Sequence, residues 1–304
     1  MTSRSDSVGP LVHLRTLAPF RTLSPSQIGL LTAEASEVGL DEGGWLIPPG
    51  EAPTGIYMLL DGYLRIRDGH EDRVLEPWSL VGYPDVLDPD HRSPGVRAET
   101  DIVALRLETD DLRNLCERHF AILAALLSNM ASEVTTRPPA RVAALAGAGD
   151  VGPLPHDGAL DRVGRMIALQ RSPVLPRESM DAIAELAGRV ETVLLEPGDT
   201  LWTEGALAEQ FYVVCSGAVM LDGWRADELR AGVGSAPGFA ETLSGRPYTG
   251  SARAAEATAL LRVGIDPFMD VAEDHFELGY AVLGRMAAWL AGPAKPGARS
   301  AGNG

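Results

Sequence analysis

The chain contains an internal repeat, and this repeat constrains its fold more than any other feature. Three positions recur together 155 residues later: Gly50 as Gly205, Tyr57 as Tyr212 and Gly62 as Gly217. After one inserted residue the spacing becomes 156 and relates these pairs: Gly82 and Gly238, Ala98 and Ala254, Arg106 and Arg262, His119 and His275, Phe120 and Phe276. A period this long indicates two whole domains. The sequence therefore predicts two copies of one domain that superpose strand for strand, with the extra residue between Gly62 and Gly82.

Each half has the same order of predicted elements, namely a helix, a series of short strands and a closing helix. Helical spacing of apolar residues predicts opening helices at 24–35 and 176–187. Short runs of Val, Leu, Ile, Tyr and Trp between glycine turns predict strands at 45–48, 56–60, 63–67, 74–77, 103–107, 200–203, 211–215, 218–221 and 259–263. Such short strands are typical of a closed or two-sheet all-β unit.

The closing helices are predicted at 119–133 and 275–291, and each has an apolar face. These faces contain Leu123, Leu126, Leu127 and Met130 in the first helix, and Leu278, Val282, Leu283 and Met286 in the second. A single β domain need not bury such a face completely, so we expect at least one helix to pack against the other domain or another subunit. Trp289 is the leading candidate for this contact, and a homo-oligomer through these helices is one expected arrangement.

Proline and glycine content sets the expected domain limits. We expect a first domain at 1–137, a Pro/Gly-rich linker at 138–158, a second domain at 159–291 and a disordered tail at 292–304. Only thirteen residues follow the second closing helix, so no DNA-reading module is expected after either repeat.

Composition excludes several classes of partner. The formal net charge is -16, which repels phosphate backbones and anionic membranes, so neither nucleic acid nor a membrane is an expected partner. No apolar run approaches the roughly 20 residues that span a bilayer, and no signal peptide is visible, so a cytoplasmic location is expected. The only cysteines, Cys116 and Cys215, occupy unequal places in the two repeats. We expect both to be buried thiols without a disulfide.

No catalytic or metal-binding pattern is present. The chain has no Gly-x-Ser-x-Gly sequence, and the glycines around Gly232 have the wrong spacing for a dinucleotide loop. Lys295 is the sole lysine and lies in the tail, which excludes a P-loop. The six histidines are scattered. We therefore expect no enzyme activity, no catalytic residue, no metal and no cofactor.

A glycine and aromatic pattern common to both halves carries a family resemblance. Its residues are Gly43, Gly50, Ile56, Tyr57 and Gly62, and in the second half Gly198, Gly205, Phe211, Tyr212 and Gly217. The pattern resembles the cyclic nucleotide-binding domain shared by the regulatory subunit of cAMP-dependent protein kinase, gated channels and catabolite activator proteins. The likeness covers about 17–134 and 161–291. It implies a mainly β fold, with two tandem jelly rolls of eight strands each and flanking helices.

The resemblance also implies a ligand site, the phosphate-binding cassette. In this family a glutamate accepts a hydrogen bond from the ribose 2′-hydroxyl, an arginine pairs with the phosphate, and backbone N–H groups hold the anion. In the first half Gly82, Arg92 and Val96 fit the family pattern, whereas Tyr83 replaces the glutamate. The candidate ligand-binding residues are Gly82, Tyr83, Arg92, Ser93 and Val96.

The second cassette departs further from the pattern. Phe239 replaces the glutamate and Tyr248 the arginine, unless a shift in alignment brings Glu241 or Arg246 into these roles. Removal of the cationic partner of a buried phosphate weakens binding by roughly 3–5 kcal/mol of free energy. We therefore expect a degenerate second pocket that binds no cyclic nucleotide, formed by Gly238, Phe239, Tyr248 and Ser251. The first pocket is expected to bind weakly through Arg92, or not at all.

Two functions are consistent with this sequence. One is a non-catalytic signalling or regulatory adaptor whose first pocket binds a cyclic nucleotide or another anion weakly and whose closing helix then alters a surface for an unidentified protein partner. The alternative is a structural protein-interaction module that works without any ligand. The two differ in whether Arg92 faces an open polar cavity or is paired with a carboxylate such as Asp85, Asp88 or Asp90.

Overall fold

A computed structural model of the protein describes residues 13–68, 71–88, 92–136, 160–176, 179–222 and 229–291. The chain forms two compact units, of which one contains the first repeat up to Ile122 and the other runs from Leu123 to Trp289. This division lies within the first closing helix, before the domain limit that we placed at residue 137. The domain limits drawn from the sequence stay a prediction. The linker at 138–158 and the tail at 292–304 lie outside the described residues.

The first repeat folds as two antiparallel sheets with flanking helices. Its helices are α1 (Pro25–Glu34), α2 (Thr109–Arg118) and α3 (Phe120–Thr135), and 3-10 turns occur at Ala18–Phe20 and Asp85–Leu87. Its strands are β1 (Ser36–Leu40), β2 (Trp45–Ile47), β3 (Gly55–Asp61), β4 (Leu64–Asp68), β5 (Glu71–Leu75), β6 (Leu80–Val81), β7 (Val96–Ala98) and β8 (Ile102–Glu108). The sheet orders are β1-β8-β3-β6 and β2-β7-β4-β5. Their facing sides bury one core that includes Leu59 and Ala104 from the first sheet and Leu64 and Val96 from the second.

The second repeat has the same plan. Its helices are α4 (Arg162–Arg171), α5 (Met180–Arg189), α6 (Phe239–Ser244), α7 (Ile265–Asp274) and α8 (Phe276–Ala291). Its strands are β9 (Glu191–Leu195), β10 (Thr200–Trp202), β11 (Gln210–Ser216), β12 (Val219–Asp222), β13 (Leu229–Ala231), β14 (Ser251–Ala254) and β15 (Thr258–Gly264). The sheet orders are β11-β15-β9 and β10-β14-β12-β13.

Strand pairing agrees between the two repeats at the equivalent positions of most strands, which confirms the predicted tandem of one jelly-roll domain. Tyr57 lies opposite Arg106, and its counterpart Tyr212 lies opposite Arg262. The irregularity near the end of β3 also recurs at the equivalent place in β11. The spacing between counterparts is 155 in β12 and 156 in β13, so the extra residue falls between these strands, within the interval that the sequence predicted.

One strand of the first repeat has no counterpart among the described residues of the second. The strand β6 pairs Val81 with Tyr57, but the counterpart of Val81 is Pro237. Proline has no N–H to donate, so at this position only the carbonyl bonds to β11, and Tyr212 donates its N–H to the Pro237 carbonyl at 3.0 Å. The described part of the second repeat therefore has seven strands, where the resemblance implied eight.

Some predicted element limits were wrong. The strand predicted at 74–77 is β5, Glu71–Leu75, and the helix predicted at 176–187 begins at Met180. The helices α2, α4 and α7, each of ten residues, were not predicted. The closing helices were predicted correctly to within two residues at each end.

The N-terminus of α1 carries a capping box formed by Ser24 and Gln27. The Gln27 N–H donates to the Ser24 Oγ at 3.3 Å, and the Ser24 N–H donates to the Gln27 Oε1 at 2.7 Å. We expect Ser24→Ala to lower the free energy of unfolding by about 1 kcal/mol, because one helix-end N–H loses its acceptor. Urea denaturation measures this loss, and Gln27→Ala should produce a smaller one. An unchanged denaturation midpoint for Ser24→Ala would contradict the assignment.

Both cysteines are buried free thiols, as the sequence predicted. Cys116 lies in α2, in the unit that contains the first repeat up to Ile122, and Cys215 lies in β11, in the other unit. Burial raises the pKa of each thiol to about 12. Neither thiol is therefore a nucleophile in the folded protein.

Candidate functional site

The first repeat contains an open pocket of about 280 Å³ beside its cassette. Its lining combines apolar walls with a few polar groups, which is the usual character of a small-molecule site. The lining residues are Ile47, Ile66, Arg73, Leu80, Val81, Gly82, Tyr83, Asp85, Ser93, Pro94 and Val96.

Strand register brings Arg73 into this pocket. Ile66 of β4 pairs with Val96 of β7 on one side and with Arg73 of β5 on the other. Side chains directly opposite in a ladder share one face of the sheet, so Arg73 lies on the core-facing side at the open end of the pocket. Arg73 is exposed, and its guanidinium forms no hydrogen bond or ion pair with the described residues. It is therefore available to an anion.

The cassette turn depends on the missing side chain of Gly82. Its φ of 84° is unfavourable for other residues, and a Cβ there would lie 2.5 Å from the Gly55 carbonyl oxygen. The Val86 N–H donates to the Gly82 carbonyl at 2.7 Å, and the Leu87 N–H donates to the Pro84 carbonyl at 2.9 Å in the 3-10 turn that follows. This turn places Tyr83 and Asp85 in the pocket wall.

The structure places four of the five predicted residues around this pocket. Gly82, Tyr83, Ser93 and Val96 line it, whereas Arg92 is exposed and outside the lining. The Ser93 hydroxyl accepts the Gly95 N–H at 3.0 Å, so this oxygen also stabilises the local turn. Ligand binding by these residues stays a prediction. Asp90, considered as a partner for Arg92, lies outside the described residues.

Sequence reasoning missed Arg73 and the role of Asp85 in the pocket wall. The available signal for Arg73 was its spacing of two from Leu75, because alternate residues of a strand share a face. That signal was lost when the strand was placed at 74–77. Asp85 lies three residues after Gly82, where the family pattern gave no reason to look for an acid.

In the second repeat Tyr248 covers the cassette glycine. Gly238 has a φ of 82°, and a Cβ there would lie 2.9 Å from the Tyr248 Cε1. Tyr248 is buried, and its hydroxyl donates to the Gln210 carbonyl of β11. Burial raises the pKa of this phenol, so Tyr248 is neutral at physiological pH and offers no charge to a phosphate.

Tyr248 belongs to a stack of aromatic side chains. Its ring lies parallel to that of Trp202, with centroids 4.3 Å apart, and Trp202 stacks on Tyr212 with centroids 5.7 Å apart. The Trp202 Nε1–H donates to the Gly250 carbonyl at 2.8 Å. Trp202 is the counterpart of Ile47, and the counterpart of Arg73 is Leu229. At these positions the second repeat therefore has a large aromatic ring in place of an isoleucine, and an apolar side chain in place of a cation.

The other three residues singled out in this cassette, besides Tyr248, have structural contacts. Phe239 packs with Phe211 at a centroid separation of 5.1 Å and with Trp289 at 6.5 Å. The Ser251 Oγ accepts the Glu204 N–H at 2.9 Å, while Gly238 begins α6. Trp289, the candidate for an interdomain contact, thus packs on a residue of its own repeat.

The two alternative ligand-binding residues are also engaged. Glu241 is buried and accepts a hydrogen bond from the Thr249 hydroxyl at 2.8 Å. Arg246 is exposed and donates to the Thr135 Oγ1 of α3 at 3.4 Å. Glu241 is the counterpart of Asp85, so both cassettes keep an acid at this position.

Other kinds of site receive no support from the described residues. They contain no group of three or more His, Cys, Asp or Glu residues arranged to hold a metal ion. Within the same part of the chain, no helix is both long and apolar enough to cross a membrane.

Comparison with known proteins gives matches on both repeats. The chain is 26% identical over 141 residues to the CRP-like cAMP-activated global transcriptional regulator of Mycobacterium tuberculosis, a match that covers 41% of the chain and 63% of that relative. The regulatory domain of Toxoplasma gondii PKA with cAMP is 14% identical, with a TM-score of 0.34, and the match covers 91% of this chain and 97% of that one. The N-terminal domain of a transcriptional regulator from Streptomyces coelicolor is 25% identical, with a TM-score of 0.37, over 41% of this chain and 93% of that one.

A family model described as the cyclic nucleotide-binding domain matches residues 37–119 and 192–275. The first range contains the open pocket with Arg73, and the second contains the cassette covered by Tyr248. Since these ranges fall on the two repeats and together span more than half of the chain, the chain belongs to the cyclic nucleotide-binding domain family and carries two copies of the domain in tandem.

Proposed function

We propose that this chain is a non-catalytic regulatory adaptor in which the first repeat binds a cyclic nucleotide or a similar anion weakly and the second repeat binds none. The observation that carries the proposal is the contrast between the two cassettes. The first has an open pocket with an available guanidinium at Arg73, whereas the second has Leu229 at that position and Tyr248 over Gly238.

The first pocket has complementary parts for such a ligand. An arginine forms charge-assisted hydrogen bonds to phosphate, and the apolar wall formed by Ile47, Ile66 and Val96 suits a flat ring. The Asp85 carboxylate in the same wall is an acceptor for a sugar hydroxyl. Tyr83 stands where the family has its glutamate, so the contact that favours ribose is weakened, and modest affinity follows.

The M. tuberculosis relative is described as cAMP-activated, which makes cAMP the first ligand to test. The chain matches less than two thirds of the relative's length, so the match does not extend to the relative's whole activity. We propose that the shared part is the ligand-sensing domain, with a protein partner, rather than DNA, as the receiver of the signal.

Calorimetry with cAMP and cGMP tests the proposal. We expect at most one site per chain, with a Kd in the micromolar range or weaker. Arg73→Leu, which copies the second repeat, should weaken binding about tenfold or more, because a hydrogen bond to a charged group contributes roughly 1.5–3 kcal/mol. Arg92→Ala is the matched control and should change the Kd less than threefold, since Arg92 lies outside the lining.

Two results would overturn this assignment. Two sites of sub-micromolar affinity per chain would show that the second cassette is functional. If Arg92→Ala weakens binding and Arg73→Leu does not, Arg92 is the ligand-binding arginine, as the sequence predicted. The absence of binding by any cyclic nucleotide would favour the alternative, a ligand-independent protein-interaction module.

A further inference from the structure

The closing helices α3 and α8 bury equivalent positions within the unit that runs from Leu123 to Trp289. The buried positions are Leu123, Leu126, Leu127, Met130 and Ala131 in α3, and Gly279, Val282, Leu283, Met286 and Ala287 in α8. In each helix they form two adjacent rows of i, i+4 residues. A face this wide packs against more than one neighbouring element, so each helix has a second neighbour.

One contact identifies that neighbour. A Cβ placed on Gly279 would lie 3.0 Å from the Leu123 Cδ2, so the side chain of Leu123 packs on the bare backbone of Gly279. Position 279 is the repeat counterpart of position 123. In a two-fold interface, residue i contacts j while j contacts i, so a residue meets its own counterpart only at the axis.

We propose that α3 and α8 form an intramolecular helix pair with local pseudo-two-fold symmetry, centred on Leu123 and Gly279. In this pair the second copy of the helix takes the place that a second molecule would have in a dimer. The proposal concerns this surface alone and does not depend on whether either cassette binds a ligand.

The difference between Leu123 and Gly279 supports pairing within one chain. In a true two-fold pair of identical chains both axial residues are the same, so a leucine must meet a leucine. Tandem repeats remove that constraint, because each copy mutates separately. A large residue facing an empty position lets the two helix backbones approach closely, which is how well-packed cores alternate large and small residues.

The pair has a second anchor at the end of α3. Thr135, the last residue of that helix, accepts a hydrogen bond from Arg246, which follows α6 in the second cassette. The first closing helix is therefore held by the second repeat at Gly279 and at Arg246. Because the helix face is occupied in this way, we expect the chain not to associate with other copies through it.

A size swap across the axis tests the pair. Gly279→Leu should lower the Tm by roughly 5 °C through overpacking, and Leu123→Gly should lower it by a similar amount through a cavity. The swapped variant carries both changes, so it has the same amino-acid composition as the wild type and still has one leucine facing one glycine. Its Tm should return to within about 2 °C of the wild-type value. Gly188→Leu is the control, since a Cβ at Gly188 in α5 meets nothing within 4 Å.

Sedimentation velocity provides a second measurement that does not depend on the stability of any single variant. We expect the wild-type chain to sediment as a monomer of 32.2 kDa. Gly279→Leu should expose the apolar faces and associate with increasing concentration, and the swap should suppress this. A swapped variant that loses as much Tm as the two single changes together would overturn the proposal. So would a wild-type dimer that Gly279→Leu converts to a monomer.

Discussion

Gly62→Ala is expected to lower the free energy of unfolding of the first unit by about 4 kcal/mol. Gly62 has a φ of 83° in the turn between β3 and β4, where an alanine costs roughly 1–3 kcal/mol in backbone strain. A Cβ at this position would also collide with the carbonyl oxygen of Asp101, and backbone cannot move aside as a flexible side chain can. Urea denaturation of the full chain, followed by circular dichroism, measures the loss.

The repeat supplies matched controls for this experiment. Gly50 also has a positive φ, 80°, but nothing lies within 4 Å of a Cβ there, so Gly50→Ala should cost only the strain, about 1–2 kcal/mol. The same contrast should recur in the second unit between Gly217, whose Cβ would lie 2.5 Å from the Ala257 carbonyl oxygen, and Gly205, which is open. Equal losses at Gly50 and Gly62 would contradict the steric argument.

Tyr248→Ala is expected to destabilise the second unit by about 4 kcal/mol. The ring is buried between Trp202 and the cassette glycine, and removal of a buried aromatic side chain usually costs 3–5 kcal/mol. Tyr248→Phe keeps the ring but loses the hydrogen bond to the Gln210 carbonyl, and should cost about 1 kcal/mol. Thermal and urea denaturation of the three proteins distinguish the two contributions. A loss below 1 kcal/mol for Tyr248→Ala would mean that the ring does not fill the cassette.

The features that could be predicted from the sequence are those set by local constraints. Glycines such as Gly62 and Gly82 recur because their backbone conformations admit almost no other residue, so they mark the same turns in both copies. Ser24 and Pro25 mark a helix start through local hydrogen bonding and a fixed φ. The jelly roll itself came from the family resemblance, since the pattern of apolar residues gave only a helix, short strands and a second helix.

The features that could not be predicted depend on register between distant strands. Arg73 enters the pocket because β5 pairs with β4 so that Arg73 lies opposite Ile66. A shift of one residue would have turned its side chain to the other face. Phe239 and Tyr248 illustrate the same limit, because the family resemblance indicates that each replaces a functional residue but not where the new ring packs. In the structure Phe239 packs with Phe211 and Trp289, while Tyr248 covers Gly238.

The placement of one buried thiol in each unit has a consequence for kinetics. Cys116 and Cys215 have pKa values raised to about 12, so an alkylating reagent at neutral pH modifies each only when its surroundings open. Each labelling rate then reports the opening of a single repeat, without any engineered probe. Mass spectrometry of two peptides from the unaltered chain can thus follow, in one reaction, whether ligand addition slows the opening of one repeat, the other or both.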